Sequence, residues 1–295
     1  MNNKIILYLG GGSMSGIFGA GVVTSLQKMN FYDKIEAIYA GSAGVMNGSY
    51  FLAGQSELGS SAYYEDLTQN FISPLHVPIG IIQRFWNKYI NELSIKKIRN
   101  VVDIDYIIDI IKNKKQLKIK NIKKQKIKFY AKLLNVSNGN IDYVDVKRYD
   151  TLTILKAAIS IAPYYFPSQK IKDGKYIDGT IKEPIGLRYI LNKHIKNKIV
   201  VVINEPIMRG FRHYAKNFLE GLVASSMHKS LFKFFIEREK SVRNDIKLAL
   251  NDGRVLLIHP PKNNPTLPKT TDYSKLMATY KMGIKEAEKI KDFID

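Results

Sequence analysis

The first 54 residues constrain the fold more than any other stretch of this chain. Residues 4–9, KIILYL, form a short apolar run that stops at a row of glycines, as a buried parallel strand does. Ile17, Ala20, Gly21, Val23, Thr24 and Leu26 then recur at helical spacing, so a helix follows the glycines. A second apolar run at 35–39 ends in Ala40-Gly41-Ser42-Ala43-Gly44, and a helix-like pattern resumes over 43–54. Strand, glycine turn, helix, strand, sharp bend, helix is the order of an α/β protein. It predicts a three-layer α/β/α fold with a mostly parallel central sheet covered on both faces.

Further along, residues 60–112 have a mainly helical pattern with breaks at Pro74 and Pro78. KIKFYAKLLNV alternates like a half-exposed strand, with Ile127, Phe129, Ala131 and Leu133 inward and Lys126, Lys128 and Lys132 outward. LTILKAAISIAPYYFP predicts a helix ended by Pro163, KYIDGTIKEP a strand end running into a turn, and NKIVVVINEP a buried strand. After Pro206 amphipathic helices over 211–250, a strand at 254–259 and a helix at 272–293 follow. The expected organisation is a catalytic domain over 1–206, with a mainly helical extension over 207–295 packed on it.

Composition narrows the function classes. Apolar content of 45% and charged content of 24% suit a globular protein with a large core. No apolar run is long enough to span a bilayer, and MNNKIILYLGGG is too short in its apolar part for a secretory signal. The absence of cysteine excludes disulfides, a thiol nucleophile and Cys-ligated metals. A cytoplasmic location fits, with peripheral membrane contact and signal-independent export left open. Net charge is +20, and residues 112–128 hold nine lysines and no acid. Such charge attracts polyanions. Lys118, Lys120, Lys123 and Lys124 are the candidate contacts for an anionic membrane. Without interleaved aromatic residues the run argues against nucleic acid. The segment 73–90, with the sole tryptophan Trp86 and with Arg84, Lys88 and Tyr89, reads either as a core-packing helix or as a membrane-touching cap.

Three features call for one chemistry. The turn in LGGGSMSGIFGAGVV presents backbone N–H groups at a helix N-terminus, suited to an anion. Serine at position 15 breaks the dinucleotide-binding pattern G-x-G-x-x-G, and the Gly-Lys-Ser/Thr of a phosphate loop is absent, so a developing oxyanion remains. Ser42 ends the neighbouring strand on a bend of small residues, the setting of an exposed nucleophile. Asp178, at the end of a third strand, is the carboxylate best placed as its base. His194, His213, His228 and His259 follow in the order a Ser-His-Asp triad would need, His259 the best of them, but the bend comes too early in the chain for an α/β-hydrolase. Asp103 and Asp105 read as helix-entry caps, and no metal-ligand spacing occurs.

These residues resemble the patatin-like phospholipase family, in its bacterial branch. The glycine-rich oxyanion motif corresponds to Gly11-Gly12-Ser13-Met14-Ser15-Gly16, the elbow to Ala40-Gly41-Ser42-Ala43-Gly44, and the aspartate motif to Asp178-Gly179-Thr180. Ser15 stands where the family usually has Arg or Lys. The resemblance covers residues 4–206 well and the remainder loosely. It implies a lipid acyl hydrolase with a Ser42–Asp178 dyad, an oxyanion hole of Gly11, Gly12 and Ser13 N–H groups, and a phospholipid substrate. No cofactor or metal is expected. A non-catalytic lipid-binding protein on the same fold is the alternative.

Overall fold

A computed structural model of the protein describes residues 4–68, 102–165, 167–207, 212–225 and 228–294. The segment containing Trp86 and the breaks at Pro74 and Pro78 lie outside the described residues.

The apolar runs become the strands β1 (Ile5–Leu9), β2 (Ile35–Ala40), β3 (Lys128–Asn135), β7 (Ile199–Val202) and β8 (Val255–Ile258), all parallel, in the order β3-β2-β1-β7-β8. β1 and β7 are buried throughout, because helices cover both faces of the sheet. Three antiparallel strands complete it: β4 (Ile141–Asp145) on β3, and β5 (Gln169–Ile171) beside β6 (Gly174–Asp178), which also pairs with β3.

The side chains of β1 divide between two cores. Ile5, Leu7 and Leu9 join one cluster with α1 (Ile17–Lys28), α2 (Ala43–Leu52), α6 (Thr151–Ile159) and α10 (Tyr273–Glu286). Ile6 and Tyr8 join another with α7 (Leu187–Lys193) and α9 (Ser230–Asn251). The remaining described α-helices, α3 (Ser56–Ser61), α4 (Ile104–Asp109), α5 (Ile119–Lys124), α8 (Arg212–Ala224) and α11 (Glu288–Ile294), are peripheral or short. The architecture is the expected three-layer α/β/α. β8 and α10, both after residue 206, share the sheet and the larger core with the N-terminal elements.

Two expectations need correcting. α6 stops at Ile159, well before Pro163, and the Ser160 carbonyl accepts the N–H of Asp178 at 3.1 Å instead of continuing the helix. Lys132 does not face outward: it is fully buried. Alternation exposes every second residue only where one sheet face meets water, and here α7 and α9 cover the second face. Asp103 does cap α4, accepting the Tyr106 N–H at 2.9 Å.

Registry brings the distant motifs together. Ala40, the last residue of β2, pairs with Ala131 of β3, and Asp178, the last of β6, pairs with Leu133. Residues 130 and 131 pair with β2 and β4, and residues 133 and 134 pair with β6 and β4. β2 and β6 therefore lie end to end along one edge of β3, their carboxyl termini facing each other across Lys132.

Candidate active site

Ser42 stands at the gap between those two strand ends. It precedes α2 with φ 52° and ψ −133°, a conformation rarely adopted by a residue with a side chain. A serine at this position ordinarily caps its helix; here the hydroxyl makes no capping bond and is left for other work. The bend is held by its backbone: Gly41 N–H donates to Leu9 O at 3.0 Å, and Gly44 and Val45 N–H groups donate to the carbonyls of Gly41 and Ser42. Ala43 and Gly44 begin α2. The strain gives a stability prediction. Ser42→Gly should be more stable than Ser42→Ala by about 1 kcal/mol in thermal or denaturant unfolding, because only glycine accepts this conformation freely. Equal stabilities would show the bend to be unstrained.

Asp178 is fully buried across the gap. Its Oδ1 accepts from the Thr180 N–H at 2.8 Å and from Thr180 Oγ1 at 2.7 Å, whereas Oδ2 has no hydrogen-bond partner. Burial holds the carboxyl above the usual carboxylate range, opposed by the Thr180 bonds, the nearby Ser42 hydroxyl and the charge of Arg238. Ser42 is thus close enough to favour the carboxylate without forming a full hydrogen bond to Oδ2. Gly179 lets the chain turn tightly, since a Cβ there would lie 2.7 Å from the Lys132 carbonyl.

The glycine turn faces the same gap. A Cβ on Gly11 would lie 2.6 Å from the Ser42 Cβ, so only glycine lets the turn approach the bend. Ser13, at φ 51°, opens a single 3-10 turn to Gly16 that leads into α1. Among the described residues nothing accepts a hydrogen bond from the N–H groups of Gly11, Gly12 or Ser13. Ser15 is buried and its hydroxyl has no partner.

Two residues unforeseen in the sequence shape this site. Asn204, just past β7, donates through Nδ2 to the carbonyls of Gly10 at 2.8 Å and Gly11 at 2.9 Å, and accepts the Gly19 N–H at 2.8 Å. One amide thereby fixes the glycine turn to the start of α1. Arg238 of α9 lines the cavity that opens onto Ser42, and its charge reaches Asp178. The cation usual at position 15 is absent, but a cation from another element stands in the site. Met14, Met46, Ile159, Ile161 and Tyr164 make much of the cavity wall apolar.

No histidine among the described residues lines this cavity, and His259 Nδ1 lies 2.9 Å from the Pro260 carbonyl. Among the described residues no group of His, Asp and Glu could hold a metal, and no helix is long and apolar enough to cross a membrane.

The fold and this site define an α/β/α protein with a serine on a strained strand-to-helix bend. Residues 7–191, more than half of the chain, match the patatin-like phospholipase family, and the chain belongs to it. Among solved structures, VipD from Legionella pneumophila is similar at 14% identity, with 98% of this chain and 67% of that one covered and a TM-score of 0.46. The type III effector protein ExoU is similar at 10% identity, with 96% and 53% covered and a TM-score of 0.36. This chain thus spans about half of the ExoU chain. The curated proteins gave no match.

Proposed function

We propose that the protein is a lipid acyl hydrolase that cleaves fatty-acyl esters of glycerophospholipids through Ser42 and Asp178. The observation that carries this reading is the meeting of three groups at one gap: the strained, uncapped Ser42, the unpaired Oδ2 of Asp178, and the free N–H groups of Gly11, Gly12 and Ser13. In the first half-reaction Asp178 accepts the Ser42 hydroxyl proton as Oγ attacks the ester carbonyl. The carbonyl oxygen becomes an oxyanion held by the three N–H groups at the head of α1. Collapse of the tetrahedral intermediate expels the lysolipid alcohol, which takes the proton from Asp178. Water, deprotonated by the same carboxylate, then releases the fatty acid and restores Ser42. Burial raises the basicity of Asp178, which suits it to accept a proton from an alcohol. The apolar wall suits an acyl chain.

The test is purified protein on mixed phospholipid vesicles, with products identified by mass. Free fatty acid and lysophospholipid are expected, and neither with Ser42→Ala. Lipid binding without any product would leave only the non-catalytic alternative.

Contact with an anionic membrane through Lys118, Lys120, Lys123 and Lys124 is a separate proposal. All four are exposed, on or beside α5. α5 lies before β3 and bonds to the end of α2 through Asn121, which places it at the amino edge of the sheet, opposite Ser42. The lysines would tether the protein rather than press the cavity against lipid. Changing all four to Gln should weaken salt-sensitive binding to anionic vesicles, each lysine contributing up to about 1 kcal/mol. Hydrolysis of a short-chain soluble ester should not change. Equal, salt-insensitive binding to anionic and zwitterionic vesicles would remove the targeting role.

A further inference from the structure

Lys132 is fully buried on β3, at the one position between the facing ends of β2 and β6. Its Nζ donates to Tyr8 Oη at 3.1 Å and to the Ile185 carbonyl at 2.9 Å. Tyr8 Oη in turn donates to the Pro184 carbonyl at 2.6 Å. Two side chains, from the strands on either side of β2, thus pin consecutive carbonyls of the loop that follows Asp178. The same lysine also reaches the serine bend. A Cβ on Gly41 would meet the Thr180 methyl, the Lys132 Cε at 3.4 Å and the Tyr8 hydroxyl at 3.5 Å. The floor beneath Ser42 and the support of the Asp178 loop are therefore one structure.

The charges around Lys132 are also unusual. Asp178, Glu183 and Asp245 favour its ammonium form, and Arg238 opposes it. Glu183 accepts from Tyr143 Oη, and Asp245 of α9 accepts the N–H groups of Gly186 and Leu187. A buried amine would be isolated and costly in an apolar interior; here three carboxyls, from the end of β6, the loop after it and α9, favour its charge.

We propose that Lys132 is a positioning residue for the hydrolytic site: its buried amine, wedged between the strand ends, holds the loop behind Asp178 and so fixes where that carboxylate meets Ser42. The proposal rests on the Ser42–Asp178 reading given above. Desolvation, partly offset by the three acids, pushes the amine down to about 8. Its charge is present below that pH and lost as pH rises through it. Asp178 is displaced the other way, so the base is lost as pH falls through its raised pKa. Arg238, Ser42 and Thr180 also face Asp178 and remain when Lys132 is changed.

The experiment is the pH profile of kcat/KM on a soluble short-chain ester, corrected with Ser42→Ala, for the wild type and Lys132→Met. The wild type should show an acid limb and a second limb near pH 8. Lys132→Met should lose the limb near pH 8 and lower kcat/KM at pH 7 by about 10- to 100-fold, as loss of a group orienting a functional residue commonly does. A wild-type profile flat through pH 8, or a Lys132→Met profile of unchanged shape, overturns the proposal. Where Lys132→Met does not fold, Tyr8→Phe serves, because it keeps the amine and removes one acceptor. The limb near pH 8 should then move down, and an unmoved limb overturns the proposal. Full activity of Asp178→Asn would sink the dyad and this proposal together. An inactive Asp178→Asn beside an unchanged Lys132→Met profile would sink this proposal alone.

Discussion

Ser42→Ala and Asp178→Asn are each expected to lower ester hydrolysis by about 10³- to 10⁶-fold, with the double variant little worse than either. The two side chains act as a unit: without Oγ there is no nucleophile, and without the carboxylate the hydroxyl keeps its proton. Both variants should fold. Asn at 178 can still accept the two Thr180 bonds through its oxygen. Ala at 42 removes a hydroxyl that caps nothing. His259→Ala should leave the rate within about twofold of wild type, since that ring lies away from the cavity. Steady-state kinetics with circular dichroism and thermal unfolding on each variant decide the matter. A Ser42→Ala protein with wild-type activity refutes the assignment of the nucleophile, and a His259→Ala collapse would restore a triad.

Asn204→Ala should cost about 10²-fold in kcat while KM changes little. Asn204 lines the cavity, but its amide is committed to the protein: it holds the carbonyls of Gly10 and Gly11, and with them the direction of the next N–H groups. Donors displaced by about 1 Å no longer meet an oxyanion at hydrogen-bonding distance, and losses near 10²-fold follow such displacements. The same change leaves three backbone partners unmatched, two of them in buried bonds, so unfolding free energy should fall by about 1–3 kcal/mol. Near-wild-type kcat in a folded Asn204→Ala protein would show that the turn holds itself.

The order of elements over residues 4–54 was legible in the sequence because β1 and β2 are apolar runs that end at glycine, whereas β4 and β5, short and partly polar, left no such pattern. β1, the turn, α1, β2, the bend and α2 follow the pattern of residues 4–54 closely. Ser42, Asp178 and the glycines were legible because a bend and a tight approach demand small neighbours, which leave a mark in sequence. Lys132 left no such mark. In KIKFYAKLLNV it is one lysine among several, and alternation assigns it to water. Its burial depends on α7 and α9, whose positions no local pattern encodes. Asn204 was hidden for a related reason: polar residues commonly end strands, and its meaning lies in a partner at the opposite end of the chain sequence. Arg238 required knowing which side of a long amphipathic helix faces the cavity. Contacts set by tertiary packing were the part that sequence periodicity could not reach.

The packing of α1 against α10 has a consequence for the order in which the protein is made. The two helices touch backbone to backbone: a Cβ on Gly21 would lie 2.2 Å from the Tyr280 carbonyl, and one on Gly283 would lie 2.0 Å from the Phe18 carbonyl. On the ribosome α1 and the glycine turn before it emerge early, whereas α10 is translated after every strand of the sheet. Contacts of such long sequence separation form late in folding. Until α10 docks, the outer face of α1 is bare and the turn that faces Ser42 lacks its backing helix. A nascent chain therefore carries both halves of the proposed site, Ser42 and Asp178, before it carries the helix that packs behind the glycine turn, and truncation before residue 273 is expected to leave that turn unsupported.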